Sequence, residues 1–201
     1  MSLDEGYRDV VDGKIAAVVT SLEMFAPPPL GKEPAGHGLQ LERAVKPDLD
    51  WYRDLYRRVG GPWLWVSCLK MHDAALAAVL HDPAVEVWAA VKDGRAEGLL
   101  QLDFRVPGVC ELLYFGLTDT VIGQGAGRWM MNRAIERAWS QPIGRFWVHT
   151  CSVDHPAALA FYVRSGFTAF RRQVEIFDDP RLSGVLPPDA APHVPVIRPK
   201  G

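Results

Sequence analysis

Apolar positions in the middle of the chain change period several times, and each change marks an element. Leu39 to Val45 reads as a short strand, and after Pro47 a helical spacing runs through Trp51, Leu55 and Tyr56. His72 to Leu80, rich in Ala and Leu, predicts a second helix. Val85 to Val91 and Gly98 to Phe104 are strand-like runs flanking Asp93-Gly94, a dipeptide that accepts the positive φ angles of a tight hairpin. Cys110 to Leu117 predicts a further strand. From Gly125 to Trp139 the period turns helical. Gly127, Met130, Met131, Ala134, Ile135 and Ala138 share one face, and Arg128, Asn132, Arg133, Glu136 and Arg137 share the other. Phe146 to Cys151 is a strand, after which Asp154 is expected to cap a helix with Pro156 in its first turn and Gly166 just past its end. A last strand runs through Phe167 to Phe177. Strands that first pair as hairpins and then alternate with helices predict α/β or α+β with a mixed sheet.

The flanks are punctuated differently. Of 16 prolines, four lie between Pro27 and Pro34 and six between Pro180 and Pro199. Proline has no amide donor and continues neither a helix nor a central strand, so both stretches read as extended linker or tail. Ahead of the first, Asp9 to Val19 looks like a small hairpin turning at Asp12-Gly13, expected to pack on the domain or on a second subunit. The expected division is residues 1–37 as hairpin and Pro-rich linker, 38–178 as the compact domain, and 179–201 as a Pro-rich tail. With 201 residues and 48% hydrophobic content, the chain can bury a core of useful size. Lys and Arg total 22 against 24 Asp and Glu, so no global charge attracts nucleic acid or an anionic membrane. No apolar run approaches the roughly 20 residues that span a bilayer. Asp4, Glu5, Asp9 and Asp12 depart from the form of a signal peptide. Cys68, Cys110 and Cys151 are too dispersed for a disulfide or zinc framework. A reduced, cytoplasmic protein without a metal is expected.

The most informative segment is Ile122-Gly123-Gln124-Gly125-Ala126-Gly127-Arg128. It follows a strand and opens an amphipathic helix, the setting in which free amides bind phosphate. Arg128 stands where a dinucleotide fingerprint needs its third glycine, and the Gly-Lys-Ser/Thr of a P-loop is absent. On its own the loop reads equally as a Gly-rich turn that starts a helix. A second segment, His155-Pro156-Ala157-Ala158-Leu159-Ala160-Phe161-Tyr162-Val163-Arg164-Ser165-Gly166-Phe167, follows one strand later.

Together these segments resemble the two signatures of the GCN5-related N-acetyltransferase (GNAT) superfamily, a resemblance covering about Leu39 to Asp178. The first is similar to the family's Gln/Arg-x-x-Gly-x-Gly/Ala loop, with Ile122 at the Gln/Arg position. The second is similar to Asn-x-x-Ala-x-x-x-Tyr-x-x-x-Gly-Phe, with His155 in place of Asn. The resemblance implies a mixed, mostly antiparallel twisted sheet flanked by helices, and acetyl transfer from acetyl-CoA to a small-molecule or peptide amine. It implies that Ile122, Gly123, Gln124, Gly125, Ala126, Gly127 and Arg128 cradle the pyrophosphate. It also implies that Phe115 and Leu117 meet the pantetheine arm, and that His155 and Tyr162 belong to the coenzyme site. In the family a bulge in the preceding strand frees an amide for the thioester carbonyl. Gly116 would ease such a bulge, which makes Leu117 the expected oxyanion donor. Tyr162 matches the family's usual acid for the departing thiolate.

An attacking amine must be neutral, so a base or water must take its proton. Glu111 is the candidate base: period-2 alternation sets it on the face of Leu113 and Phe115, and apolar surroundings raise a carboxyl pKa. It reads equally as an exposed Glu at the start of an edge strand. Trp63, Trp65 and His149 are candidates for the acceptor cleft, although aromatics at the tryptophan positions read first as core. His149, Cys151 and His155 lack the second cluster of a metal site. Two rivals remain open: an acyl-CoA-binding module of the same fold, and a nucleotide-binding regulator that uses the glycine loop alone. A homodimer is also open.

Overall fold

In the computed structural model, residues 4–34, 36–123 and 125–200 are described. Thirteen of those residues' elements form one seven-stranded sheet with helices on both faces. The strands are β1 (Lys14–Met24), β2 (Gln40–Ala44), β3 (Val85–Lys92), β4 (Arg95–Asp103), β5 (Val109–Leu117), β6 (Arg145–Cys151) and β7 (Thr168–Asp178). The helices are α1 (Leu49–Gly60), α2 (Ser67–Lys70), α3 (Asp73–Leu80), α4 (Ala126–Trp139) and α5 (Ala158–Arg164), with a 3-10 turn at Gly61–Trp63. Strand order is β2-β3-β4-β5-β6-β1-β7. Every neighbouring pair is antiparallel except β5 and β6, which run parallel.

Local chemistry accounts for most of these elements. Asp48 accepts hydrogen bonds from the amides of Asp50 and Trp51 and so caps α1. Asp93 and Gly94 take φ angles of 50° and 76°, the left-handed pair that turns β3 into β4. The apolar stripe of α4 packs Met130, Ala134, Ile135 and Ala138 onto one sheet face with Leu112, Phe146 and Val148. On the opposite face α1 and α3 bury Tyr52, Leu55, Tyr56 and Leu76 against Val87, Ala89 and Leu99.

Neither flank is an appendage. In place of a hairpin turning at Asp12-Gly13, the chain forms one eleven-residue strand, β1, seated between β6 and β7. Its alternation explains this: Ile15, Ala17 and Ser21 bury toward one face, Thr20 and Leu22 toward the other. A strand with apolar residues to offer both faces is more stable inside a sheet than in an isolated hairpin. The tail is folded as well. Arg181, paired with Asp179 at 2.7 Å, donates to the carbonyls of Ala190, Ala191 and Val194 and gathers residues 179–194 against Ile15 and Ala17.

The Pro-rich linker becomes a strap across α4 and α5. Asn132 donates to the Gly31 carbonyl at 2.7 Å and to Glu33, which also pairs with Arg133. His37 lies against Trp129 with ring centroids 4.8 Å apart, and Pro28 packs where a side chain on Gly166 would stand. The strap therefore covers Asn132, which the helical pattern alone assigns to the polar face and which is buried to 1% exposure. No helix of the described residues is long and apolar enough to cross a membrane.

Candidate active site

The parallel pair β5 and β6 stays together only briefly. Val109, Cys110 and Glu111 pair with Arg145, Phe146 and Trp147, and the ladder then stops. Beyond it the strands border a cleft of about 780 Å³, lined by Leu112 to Leu117 on one side and Val148 to Cys151 on the other. An unpaired strand edge presents a row of amide donors and carbonyl acceptors, so this cleft suits an extended, amide-bearing ligand.

A bulge sets which side chains face it. Along β4, Gln101 pairs with Tyr114 and Leu102 with Leu112, so Leu113 is the extra residue of β5. The bulge thus lies at Leu113 rather than at Phe115-Gly116-Leu117. Gly116 has another cause: a Cβ there would stand 2.5 Å from Val59 and 3.3 Å from the Trp65 ring. A β-strand rises about 3.3 Å per residue, which puts Leu117 roughly 13 Å from the bulge, beside the loop that opens α4. That distance separates Leu117 from the position where a bulge frees an amide.

The bulge also reverses the alternation. Phe115 and Leu117 join the α4 face with Leu112, while Tyr114 joins the α1 face. Glu111 consequently does not share a face with Phe115. It is in register with Trp147 and reaches His149, with Glu111 Oε1 3.5 Å from His149 Nδ1. Glu111 is not among the residues lining the cleft; His149 is. The Glu111 carboxylate holds the imidazole pKa above its ordinary 6.5, although partial burial acts the other way.

The loop between β5 and α4 is braced at its start. Thr118 and Thr120 donate to Glu97, at 2.5 and 3.0 Å. Burial opposes charge on Glu97, but these hydroxyls and the neighbouring Arg95 and Arg58 outweigh it and hold the carboxyl below its usual range. Gly123 and Gly125 then turn the chain with φ of 90° and 78°, a region where L side chains are strained. Gly125 is the α4 N-cap and supplies no side chain to satisfy the first amides of the helix. A side chain on Gly125 would collide with the Pro34 ring of the strap, whereas Gly123 has open space around its Cβ position. Ile122, Gly123, Gly125 and Gly127 line the cleft; Ala126 is buried in the core. Arg128 turns away from the cleft, donating to Ser165 Oγ at 3.0 Å and lying over the Phe161 ring. Gln124 lies outside the described residues.

Tyr162 projects from α5 beside Phe115, Phe161 and Phe167, each at a steep ring angle. Its hydroxyl has no hydrogen-bond partner among the described residues, and the side chain lines the cleft. Burial, reinforced by the Asp154 charge, drives the phenol pKa well above 10, so it stays protonated. Gly166, at φ 100°, ends this helix where expected. Asp154 does not cap it. That carboxylate instead accepts from Trp65 Nε1 at 3.1 Å, Thr150 Oγ1 at 2.7 Å and the Cys151 amide at 2.8 Å, bonds that compete with a cap.

Trp63, Trp65, His149 and His155 converge on the same cleft. Trp65 lies between Tyr56 and Tyr114, at centroid distances of 5.6 and 5.3 Å, in space left by Gly60 and Gly116. Trp63 contacts the rings of His155 and His193. The sequence pattern missed Tyr114 and Ser67, whose hydroxyls lie 2.7 Å apart on this wall. Their only signal was a polar atom in an otherwise apolar run. No group of three or more His, Cys, Asp or Glu among the described residues is placed to hold a metal ion.

Comparison with known proteins bears on the fold and the family. No curated protein sequence matches the chain. Among solved structures, a functionally unknown conserved protein from Staphylococcus epidermidis superposes with a TM-score of 0.58 at 12% identity, covering 83% of this chain. The chain spans 63% of that protein's length. An aminoglycoside acetyltransferase from an uncultured soil metagenomic sample gives 0.56 at 18% identity, over 71% of this chain and 96% of its own. A Bacillus subtilis acetyltransferase in complex with CoA gives 0.50 at 18% identity, over 65% and 76%. These likenesses bear on the fold. Residues 49–167, more than half of the chain, match the acetyltransferase (GNAT) family. The chain belongs to that family.

Proposed function

We propose that the protein transfers the acetyl group of acetyl-CoA to a primary amine by direct attack within a ternary complex. The observation that carries this reading is the parting of β5 and β6, which opens two strand edges into a cleft between the Gly123–Gly127 loop and the Tyr162 helix. The residues fit coenzyme A. The free amides at the start of α4 favour its pyrophosphate. The edge of β5 pairs with the amides of its pantetheine arm, alongside Phe115 and Leu117. The thioester then reaches the bulge, where the main-chain amides at Leu113 and Tyr114 receive the oxyanion. This assignment replaces Leu117, which stands at the pyrophosphate end.

Proton movements follow from the side chains. His149, which Glu111 orients and makes more basic, first takes a proton from the bound ammonium, and the neutral amine nitrogen then attacks the thioester carbonyl carbon. Collapse of the tetrahedral species breaks the carbon–sulfur bond, the Tyr162 hydroxyl gives its proton to the thiolate, and the proton shed by the nitrogen as it becomes the neutral amide restores the phenol. Trp63 and Trp65 form the aromatic wall on which a cationic amine rests before deprotonation.

The test is release of free thiol from acetyl-CoA with a panel of amines. Turnover with one or more of them, followed across pH, is the expected result; coenzyme binding without turnover would leave a binding module instead. For an accepted amine, kcat/KM should rise with pH as His149 loses its proton. The midpoint should lie above an ordinary histidine, because Glu111 raises its pKa. Glu111→Gln removes that carboxylate and should move the limb to lower pH. A limb that disappears would return Glu111 itself to the role of base, and an unmoved limb would exclude the pair.

A further inference from the structure

We propose that the acetyl acceptor is an amine with a carboxylate at the far end of a short carbon chain, held by that carboxylate on Arg171. An ω-amino acid and the side-chain amine of a diamino acid both have this form. The inference rests on the acetyl-transfer reading and names the acceptor class for the same site. Its basis is a second cavity of about 540 Å³ that continues from the cleft across β6, β1 and β7. His149 and Glu175 line both cavities and so mark their junction. Strand pairing carries the groove outward from there. Ser21 of β1 lies opposite His149 on one side and opposite Arg171 of β7 on the other. Residues directly opposite share a sheet face, so His149, Ser21 and Arg171 form one row over three strands.

The groove is built from side chains that the core does not use. Neither Trp147 nor Phe170 belongs to an apolar core cluster of the described residues. Phe170 is the extra residue between Arg171, opposite Ser21, and Ala169, opposite Leu22, and this bulge brings it to the face of Arg171. The Arg145 guanidinium lies 4.8 Å from the Phe170 ring centre and 5.9 Å from that of Trp147, and it pairs with Glu23 at 2.7 Å. Its charge is already met. Ser21 is only 6% exposed, and its hydroxyl has no hydrogen-bond partner among the described residues. Arg171 has neither an ion pair nor a side-chain hydrogen bond among them. A buried hydroxyl and a guanidinium left without partners on one row are groups that a polar ligand satisfies.

Charge gives the groove a direction. Glu175 at the junction, and Glu111 behind His149 at 3.5 Å, put negative charge where the amine reacts. Arg171 puts positive charge beyond β1, and a guanidinium takes a carboxylate in a bidentate pair. Two strand spacings separate the backbones of His149 and Arg171 by roughly 10 Å. An α-amino group and its carboxylate share one carbon and cannot reach both ends. An amine set off from its carboxylate by several methylenes can, with the chain lying over Ser21 beside Trp147.

The test compares ε-aminocaproate with hexylamine, which lacks the carboxylate, as acceptors for the full chain with acetyl-CoA. The expected kcat/KM ratio favours ε-aminocaproate by about tenfold or more, carried mainly by KM. Arg171→Gln should bring the ratio close to one, and Arg171→Glu should reverse the preference toward cadaverine, whose far end is an ammonium. A wild-type ratio near one, or a ratio that both variants leave intact, overturns the proposal and leaves acetyl transfer standing. Equal losses for every acceptor, with no reversal, would mark a structural role for Arg171 and also overturn it. If no amine is turned over, the acetyl-transfer reading fails, and calorimetry of ε-aminocaproate on the chain loaded with coenzyme A decides the groove separately. Binding that Arg171→Gln abolishes supports it; no binding, or binding that the variant keeps, overturns it.

Discussion

Tyr162→Phe is expected to lower kcat by roughly 10²-fold to 10⁴-fold, the scale on which loss of a positioned general acid is felt. The substitution removes one oxygen and little else. The Tyr162 hydroxyl has no hydrogen-bond partner among the described residues, so no buried group is orphaned, and the ring contacts with Phe115, Phe161 and Phe167 persist. Affinity for acetyl-CoA and the thermal midpoint should therefore stay close to wild type. Burial holds the phenol protonated throughout the working range, so its loss should appear as a drop in kcat without a new titration. An acyl donor whose leaving group is a much weaker base should recover part of the rate. A variant that turns over at the wild-type rate with the natural thioester would remove Tyr162 from the chemistry.

The second large effect is expected at Gly125. Glutamate there combines three penalties: a strained positive φ, a collision with Pro34, and a negative charge at the helix terminus assigned to the pyrophosphate. Gly125→Glu should abolish the calorimetric signal of acetyl-CoA binding, a loss of at least about 100-fold in affinity, or roughly 2.8 kcal/mol. Gly125→Ala separates the causes. It keeps the strain and the collision but adds no charge, so it should bind more weakly than wild type and more tightly than the glutamate variant. Equal affinity in all three proteins would move the phosphate site off the α4 terminus.

The elements that sequence made legible are the ones whose causes are local. The Asp93-Gly94 turn, the apolar stripe of α4 and the Gly166 helix stop all depend on a few neighbouring residues, and each forms as the pattern predicts. The loop and the Tyr162 helix were legible through their resemblance to the family's two signatures, each of which is a short local pattern. What sequence hid is non-local. β1 reads as half of a hairpin because its partners, β6 and β7, are more than a hundred residues away. One extra residue at Leu113 reverses every later side chain of β5, and nothing in Leu112-Leu113-Tyr114 announces it. That slip moved Glu111 from the cleft to a place behind His149. The strap was hidden too, because Pro27 to Pro34 has no periodicity; only folding brings Glu33 to Asn132 and Pro34 to Gly125.

The central claim is that the parted edges of β5 and β6 and the loop beside them form the acetyl-CoA site. Amide hydrogen exchange on the full chain, with and without acetyl-CoA, tests it at the atoms concerned. The account predicts slowed exchange in β5 from Leu113 to Leu117 and in the loop from Gly123 to Gly127, because the coenzyme would occupy those donors. Binding with protection confined to other segments, and exchange in both of these unchanged, would contradict it.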